Sequence, residues 1–469
     1  MLQKKKESTI SSGYRIEKDS LGVREIPKEA YWGINTLRAI ENFPITGLKS
    51  HSVLIDAYVL IKMAAARVNS ELGFIDIDKA EAIVKACNEI LEGNLRDQFV
   101  VDAINSGAGT SLHMNINEVV ANRALEIMDY EKGEYSYVHP NDDVNKGQSS
   151  NDVTPSAIKI AVAVLLEKLL PVLETLKAAF EKKGSEFDHI LKSGRTHMQD
   201  AVPIRLGQEF SAYAETVNKS VYRLKEAEKS ICQLNLGATA VGTGLNAHSE
   251  YKEKVIEELR SLTGLPLKSS PDLIEATHNI DNFLDVACAL KILAAGLIQI
   301  ANDLRLLSSG PLTGFAEITL PEVQAGSSIM PGKVNPVLPE MLNMVCFHVF
   351  GTEEIVSMAV QAGQLEMNVM TPVIGFNLLF TLDTLRNAID VFTKKCVEGI
   401  SADEERCEEL AEISTGIATA LTPYIGYENA AMIAKEAYKT GKTVRQIAKE
   451  KKVLTDDQLD KILSPKSMT

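Results

Sequence analysis

Two adjacent serines, a lysine and an asparagine fall within the ten residues Gly326-Ser327-Ser328-Ile329-Met330-Pro331-Gly332-Lys333-Val334-Asn335. Lys333 offers a cation and Asn335 an amide, groups that together suit a small anion. The glycines and prolines, Pro336 included, exclude regular helix, so a loop able to open and close over a site is expected. Taken alone, the segment favours a surface turn between two helices, with Lys333 merely solvated. Other strings add donors: Thr110 and Ser111 follow Gly107-Ala108-Gly109, and Ser149, Ser150 and Asn151 precede a helix expected to enter through Thr154 as N-cap and Pro155 as first helical residue. Helix entrances present N–H groups and a positive dipole end to an anion. Arg195, Thr196, His197, Gln199 and Asp200 form a third polar string.

Such residues need long elements to hold them. From Ser156 to about Lys183, Ile158, Val162, Leu165, Leu169, Val172, Leu176 and Ala179 recur at spacings of four and three, one apolar helical stripe. Val286, Leu290, Leu293, Leu297, Ile300, Leu304 and Leu307 repeat the pattern. Three further stretches, about Gln208 to Gln233, Leu338 to Ala362 and Met367 to Lys395, are Gly-poor and rich in Leu, Ala, Met and Glu. The middle of the chain is thus predicted to be about five long helices lying nearly parallel to their neighbours. Ala287, Ala289, Ala294, Ala295, Gly296 and Ile298 leave the second stripe little polar face, which predicts burial against other subunits. Residues 1–149 mix short extended stretches with modest helices, and residues from about 403 read as a small charged helical domain with Thr455 as an N-cap.

A formal net charge of −14 over 469 residues argues against nucleic acid or an anionic membrane as partner. An anionic substrate then requires a local positive exception to the global field. No metal is expected, because the six cysteines (Cys87, Cys232, Cys288, Cys346, Cys396, Cys407) lack CxxC spacing and the histidines lack HxxxH or HExxH. The cysteines read as reduced structural thiols. The N-terminal MLQKKKESTISSGYR lacks the apolar core of a signal peptide, and no apolar run is read as approaching the ~20 residues needed to span a bilayer, so a cytoplasmic location is expected.

The segment 326–335 resembles the signature of the aspartase/fumarase superfamily. SGAGTSLHMNINEVVANRA (106–124), HPNDDVNKGQSSND (139–152) and SGRTHMQDAVPIRLGQEF (193–210) match the same family, and EAYWGINTLRAIENFPI, LGATAVGTGLN and the tail ILSPKSM extend the likeness over nearly the whole chain. The resemblance implies a mainly α, three-domain fold, with divisions expected at 1–149, 150–402 and 403–469. The central five-helix bundle would form a twenty-helix core in a homotetramer whose active sites each draw on three subunits. It implies no cofactor and a small dicarboxylate or amino-acid substrate. The implied reaction removes a proton beside a carboxylate, creating a dianionic enediolate that needs a base and many donors.

By the same resemblance, Ser327 is the general base, made competent by nearby donors, with the N–H groups around Gly326 and Ser328 expected in that role. His197 is the second catalytic residue and, with Asn151 and Thr196, meets the leaving group or the nearby carboxylate. Lys333 and Asn335 hold the α-carboxylate; Thr110, Ser149, Ser150 and Ser328 grip the β-carboxylate, with Ser111 beside them. Glu340 matches an acidic position able to pair with His197. His113 departs from the family, which usually carries Asn there, and is read as structural. GAGTS, TLRAIENF, NLGATAVGTGLN and the LSP tail favour loss of ammonia from aspartate; HPNDDVNKGQSSND and GRTHMQDA look more like enzymes that remove water from malate. Ammonia loss from a related amino acid is a further alternative. A non-catalytic protein on the same scaffold would have lost these groups, and they are all present.

Overall fold

The computed structural model describes residues 13–469 and is mainly helical. Residues 1–12, which carry most of the stretch read as lacking a signal-peptide core, lie outside the described residues. The chain starts with an antiparallel hairpin of β1 (Tyr14–Asp19) and β2 (Gly22–Pro27), followed by helices that include α1 (Ser52–Glu71) and α2 (Thr110–Ile127).

Five long helices follow: α3 (Ser150–Glu186), α4 (Leu206–Ile231), α5 (Asn282–Leu307), α6 (Val337–Gln361) and α7 (Thr371–Lys395). All seven residues of the stripe on α5 are buried, as are Ile158, Val162, Leu165, Leu169 and Leu176 on α3. Apolar residues spaced for one helical face thus leave water together, which is what selects the helix here.

The entrance of α3 differs from expectation. It begins at Ser150, so Thr154 is no N-cap and Pro155 lies inside the helix. Ser149 caps instead: its Oγ accepts from Asn151 N at 3.2 Å, and Asp152 Oδ1 accepts reciprocally from Ser149 N at 2.9 Å. Pro155 has no N–H for the carbonyl of Asn151, and that carbonyl accepts from Asn235 Nδ2 at 3.2 Å. A side chain distant in sequence fills the gap that proline leaves.

The chain divides into two compact units. One runs to Leu169 and takes in Arg223–Lys291 and His348–Thr384; the other holds Leu170–Tyr222, Ile292–Phe347 and Leu385–Thr469. Each long helix therefore lends residues to both. In the second unit, β3 (Leu191–Thr196) pairs antiparallel with β4 (Gln199–Arg205). Its C-terminal helices pack around Ile417, Leu421, Ile433, Val444, Ile447 and Leu459, and Thr455 caps its helix in a capping box with Gln458.

Helix α5 corrects one reading of the sequence, because by length and composition it could cross a bilayer, although half of its apolar window is buried in the protein. It carries Lys291, whose ammonium pairs with Glu353. In a single chain, Ile292 on α5 and Met344, Phe347 and Met358 on α6 remain exposed, Met344 at 65%. All six cysteines are free, and five are buried.

Candidate active site

The first unit gathers Thr110, Ser111, Ser149, Ser150 and Asn151 at the entrances of α2 and α3. Gly109 makes this approach possible. It caps α2 at φ +81°, and a Cβ there would lie 2.4 Å from Cγ2 of Thr154. Thr154 is buried and accepts from the Tyr58 hydroxyl at 2.8 Å. A third segment is drawn in by Asp152, whose Oδ2 accepts from Gly237 N and Thr239 N, both at 3.0 Å. Asn151 Nδ2 donates to Ala240 O at 2.7 Å. Burial pushes the Asp152 carboxyl up to about 6, against the pull of three backbone N–H bonds and Lys62.

Beneath these entrances lies a polar cluster that the sequence reading missed. Lys62, on α1, is fully buried; its Nζ lies 3.0 Å from Asn145 Oδ1, 2.9 Å from Gln148 Oε1 and 2.5 Å from His113 Nε2. His113 Nδ1 is in turn 2.8 Å from Ser150 Oγ. The residue set aside as structural thus touches a proposed carboxylate ligand. Burial holds the His113 ring well below its ordinary range, reinforced by the Lys62 charge, so the imidazole is neutral. The available signal was Lys62 itself, one cation inside the apolar run VLIKMAAA. Such a lysine is buried only when paired.

In the second unit, Thr196 and His197 are exposed at the tip of the β3–β4 hairpin. Thr196 pairs with Gln199, and the two residues between them, His197 and Met198, have φ of +54° and +60°. That is the geometry of a tight hairpin turn usually built from Asn-Gly. Holding two non-glycine residues there costs roughly 1–3 kcal/mol each. The hairpin is anchored by Glu317, fully buried and taking two bonds from Arg195 Nη1 at 3.0 and 2.9 Å, with the guanidinium stacked 4.1 Å over the Phe315 ring. Lys192 Nζ reaches Glu209 at 2.9 Å and Glu317 at 3.6 Å. Glu317 and Lys192 carry no motif of their own and were not singled out from the sequence.

The loop 320–336 has no regular structure, as expected. Gly326 N donates to Lys333 O at 2.7 Å and Asn335 Nδ2 donates to Gly326 O at 2.7 Å, closing the neck. A Cβ on Gly326 would meet Lys333 O at 2.6 Å, so only glycine fits. Ser327 is half-buried; its Oγ accepts from Ile329 N at 3.2 Å and Met330 N at 3.0 Å. The donors that would stabilise an alkoxide are therefore two and three residues onward, rather than at Gly326 and Ser328. Ser328 and Lys333 are exposed; Asn335 and Glu340 are half-buried. Among the described residues Glu340 and His197 form no ion pair within the chain.

Residues 22–351 match the family described as Lyase, and residues 417–469 match the one described as Fumarase C C-terminus. The chain belongs to this lyase family. Aspartate ammonia-lyase of Bacillus subtilis (strain 168) is 50% identical over 456 residues, 97% of this chain and 96% of that protein. Among solved structures, a fumarate lyase:delta crystallin from Brucella melitensis bound to cobalt is similar at a TM-score of 0.94 and 47% identity, covering 96% of this chain and 98% of that one. A class II fumarase from Schistosoma mansoni has the same TM-score at 38% identity, covering 97% and 99%.

Proposed function

We propose that the protein is an aspartate ammonia-lyase that converts L-aspartate reversibly to fumarate and ammonia. The observation that carries this reading is the 50% identity to a bacterial aspartate ammonia-lyase over nearly all of both chains. The geometry fits it. Ser327, with two N–H groups on its Oγ, takes the β-proton. Charge then accumulates on the β-carboxylate among Thr110, Ser149, Ser150 and Ser328, with Ser111 adjacent, while Lys333 and Asn335 hold the α-carboxylate. Cleavage of the C–N bond restores the carboxylate and leaves ammonia beside Asn151, Thr196 and His197. Fumarate hydration is the second reading, supported by the match to the class II fumarase fold. Following fumarate by ultraviolet absorbance with L-aspartate and L-malate in parallel separates them: turnover of malate alone refutes the first reading.

The working form in this reading is a homotetramer in which residues 150–402 carry the helices packed between copies, flanked by 1–149 and 403–469. The exposed apolar residues on α5 and α6 supply its contact surface. Exposure of Thr196, His197 and Lys333 in one chain fits a site completed by other copies, and Glu340 of one copy would pair with His197 of another. Six free cysteines suit a reducing cytoplasm.

A further inference from the structure

Ser150 is approached from behind by buried groups that the elimination itself leaves without a role. His113, one turn into α2 and 1% exposed, bridges Ser150 Oγ through Nδ1 and Lys62 Nζ through Nε2. The Tyr58 ring stacks on it at 5.8 Å and fixes its plane. Lys62 has two other partners, the side-chain oxygens of Asn145 and Gln148. Both amides are oriented independently of the lysine: Asn145 Nδ2 donates to Gln148 O at 3.2 Å, and Gln148 Nε2 donates to Val144 O and Lys146 O at 3.2 and 3.3 Å.

In its charged form, which burial confines to pH below about 7, the Lys62 ammonium has three hydrogens and no lone pair. Two go to the amide oxygens, so the third goes to His113 Nε2, which must be the bare ring nitrogen. The proton of a neutral imidazole then sits on Nδ1 and is donated to Ser150 Oγ. A hydroxyl that accepts on one side has its single hydrogen left for an acceptor on the other. We infer that His113 is a positioning residue: Lys62 fixes its tautomer, and that tautomer makes the Ser150 hydroxyl a donor toward the substrate's β-carboxylate. This rests on the reading of Ser150 as a carboxylate ligand.

The test is a double-mutant cycle on the full-length enzyme with L-aspartate at about pH 6, where Lys62 is charged. Ser150→Ala should lower kcat about 10²-fold, the usual cost of one oxyanion donor. His113→Phe keeps the stacking on Tyr58 but neither donates nor accepts; it should lower kcat about tenfold with a smaller change in KM, because the donor matters most as charge accumulates. The double variant should be no slower than Ser150→Ala alone. His113→Asn, whose Nδ2 can replace Nδ1 toward Ser150 but whose oxygen does not reach the Nε2 position, should fall between wild type and His113→Phe. A near-normal Ser150→Ala overturns the assignment of Ser150. A slow Ser150→Ala that His113→Phe slows further overturns the positioning role alone. If His113→Phe does not assemble, nitrogen-15 NMR at about pH 6, where Lys62 is charged, decides. Ring signals missing from His113→Asn should show a protonated Nδ1 and a bare Nε2; an Nε2–H tautomer or an imidazolium overturns the inference.

Discussion

The serine cluster at the entrances of α2 and α3 and the serine pair in the loop 320–336 are built in opposite ways. Around Ser149 and Ser150 the support comes from distant segments: His113 from α2, Lys62 from α1, and Gly237 and Thr239 through Asp152. Around Ser327 the ties among the described residues are local, made by backbone within the loop and by Asn335 at its neck. The first arrangement fixes where donors point before substrate arrives. The second sets the properties of one hydroxyl and leaves Ser328 and Lys333 exposed for whatever meets them.

This contrast predicts where damage will fall. Ser327→Ala should have the largest effect, lowering kcat by about 10³-fold while size-exclusion elution stays unchanged, because among the described residues that hydroxyl bonds only to the loop's own backbone. A near-normal rate would remove it as the base. Lys333→Met should instead raise KM for aspartate about 10- to 100-fold, the scale of one charge-assisted bond; an unchanged KM would place the α-carboxylate elsewhere. Gly326→Ala drives a Cβ into Lys333 O, so activity should fall while the melting midpoint barely moves, since the neck supports only the loop. On the other side, Asn235→Ala leaves the Asn151 carbonyl unpaired and should cost about 1–3 kcal/mol in denaturant unfolding. A loss of activity without loss of stability would contradict its role as a support.

A further expected effect concerns pH. Burial pushes the Lys62 ammonium from 10.5 down to about 7, with Asp152 and Cys87 opposing. A depressed basic group contributes stability that is present above its unfolded pKa and is lost as pH falls through the folded one. The melting midpoint of wild type relative to Lys62→Met should therefore rise between about pH 7 and 9, where the folded chain has released a proton the unfolded chain retains. A pH-independent difference would mean that Lys62 stays charged throughout.

The five long helices were legible because Leu290, Leu297, Leu304 and their neighbours repeat at helical spacing, and the loop because Gly326, Pro331, Gly332 and Pro336 break it. The start of α3 was misread. Thr154-Pro155 has the form of a helix entrance, but Asn235, some eighty residues on in sequence, satisfies the carbonyl that proline orphans, and no local pattern announces that bond. His113 was set aside for the same reason: its meaning lies in Lys62 and Ser150, each on another segment. Motifs exposed the groups proposed to face substrate, whereas the groups behind them are defined only by contact.

The proposed sharing of sites, in which one copy's loop completes another copy's serine cluster, is tested most directly by subunit complementation. Ser150→Ala and Ser327→Ala would be co-expressed and the mixed oligomers assayed for fumarate formation from L-aspartate. Shared sites predict recovery toward about one quarter of the wild-type rate, the share of sites that random assortment leaves with both residues intact. Activity no higher than the average of the two parents would show that both serines act from the same chain.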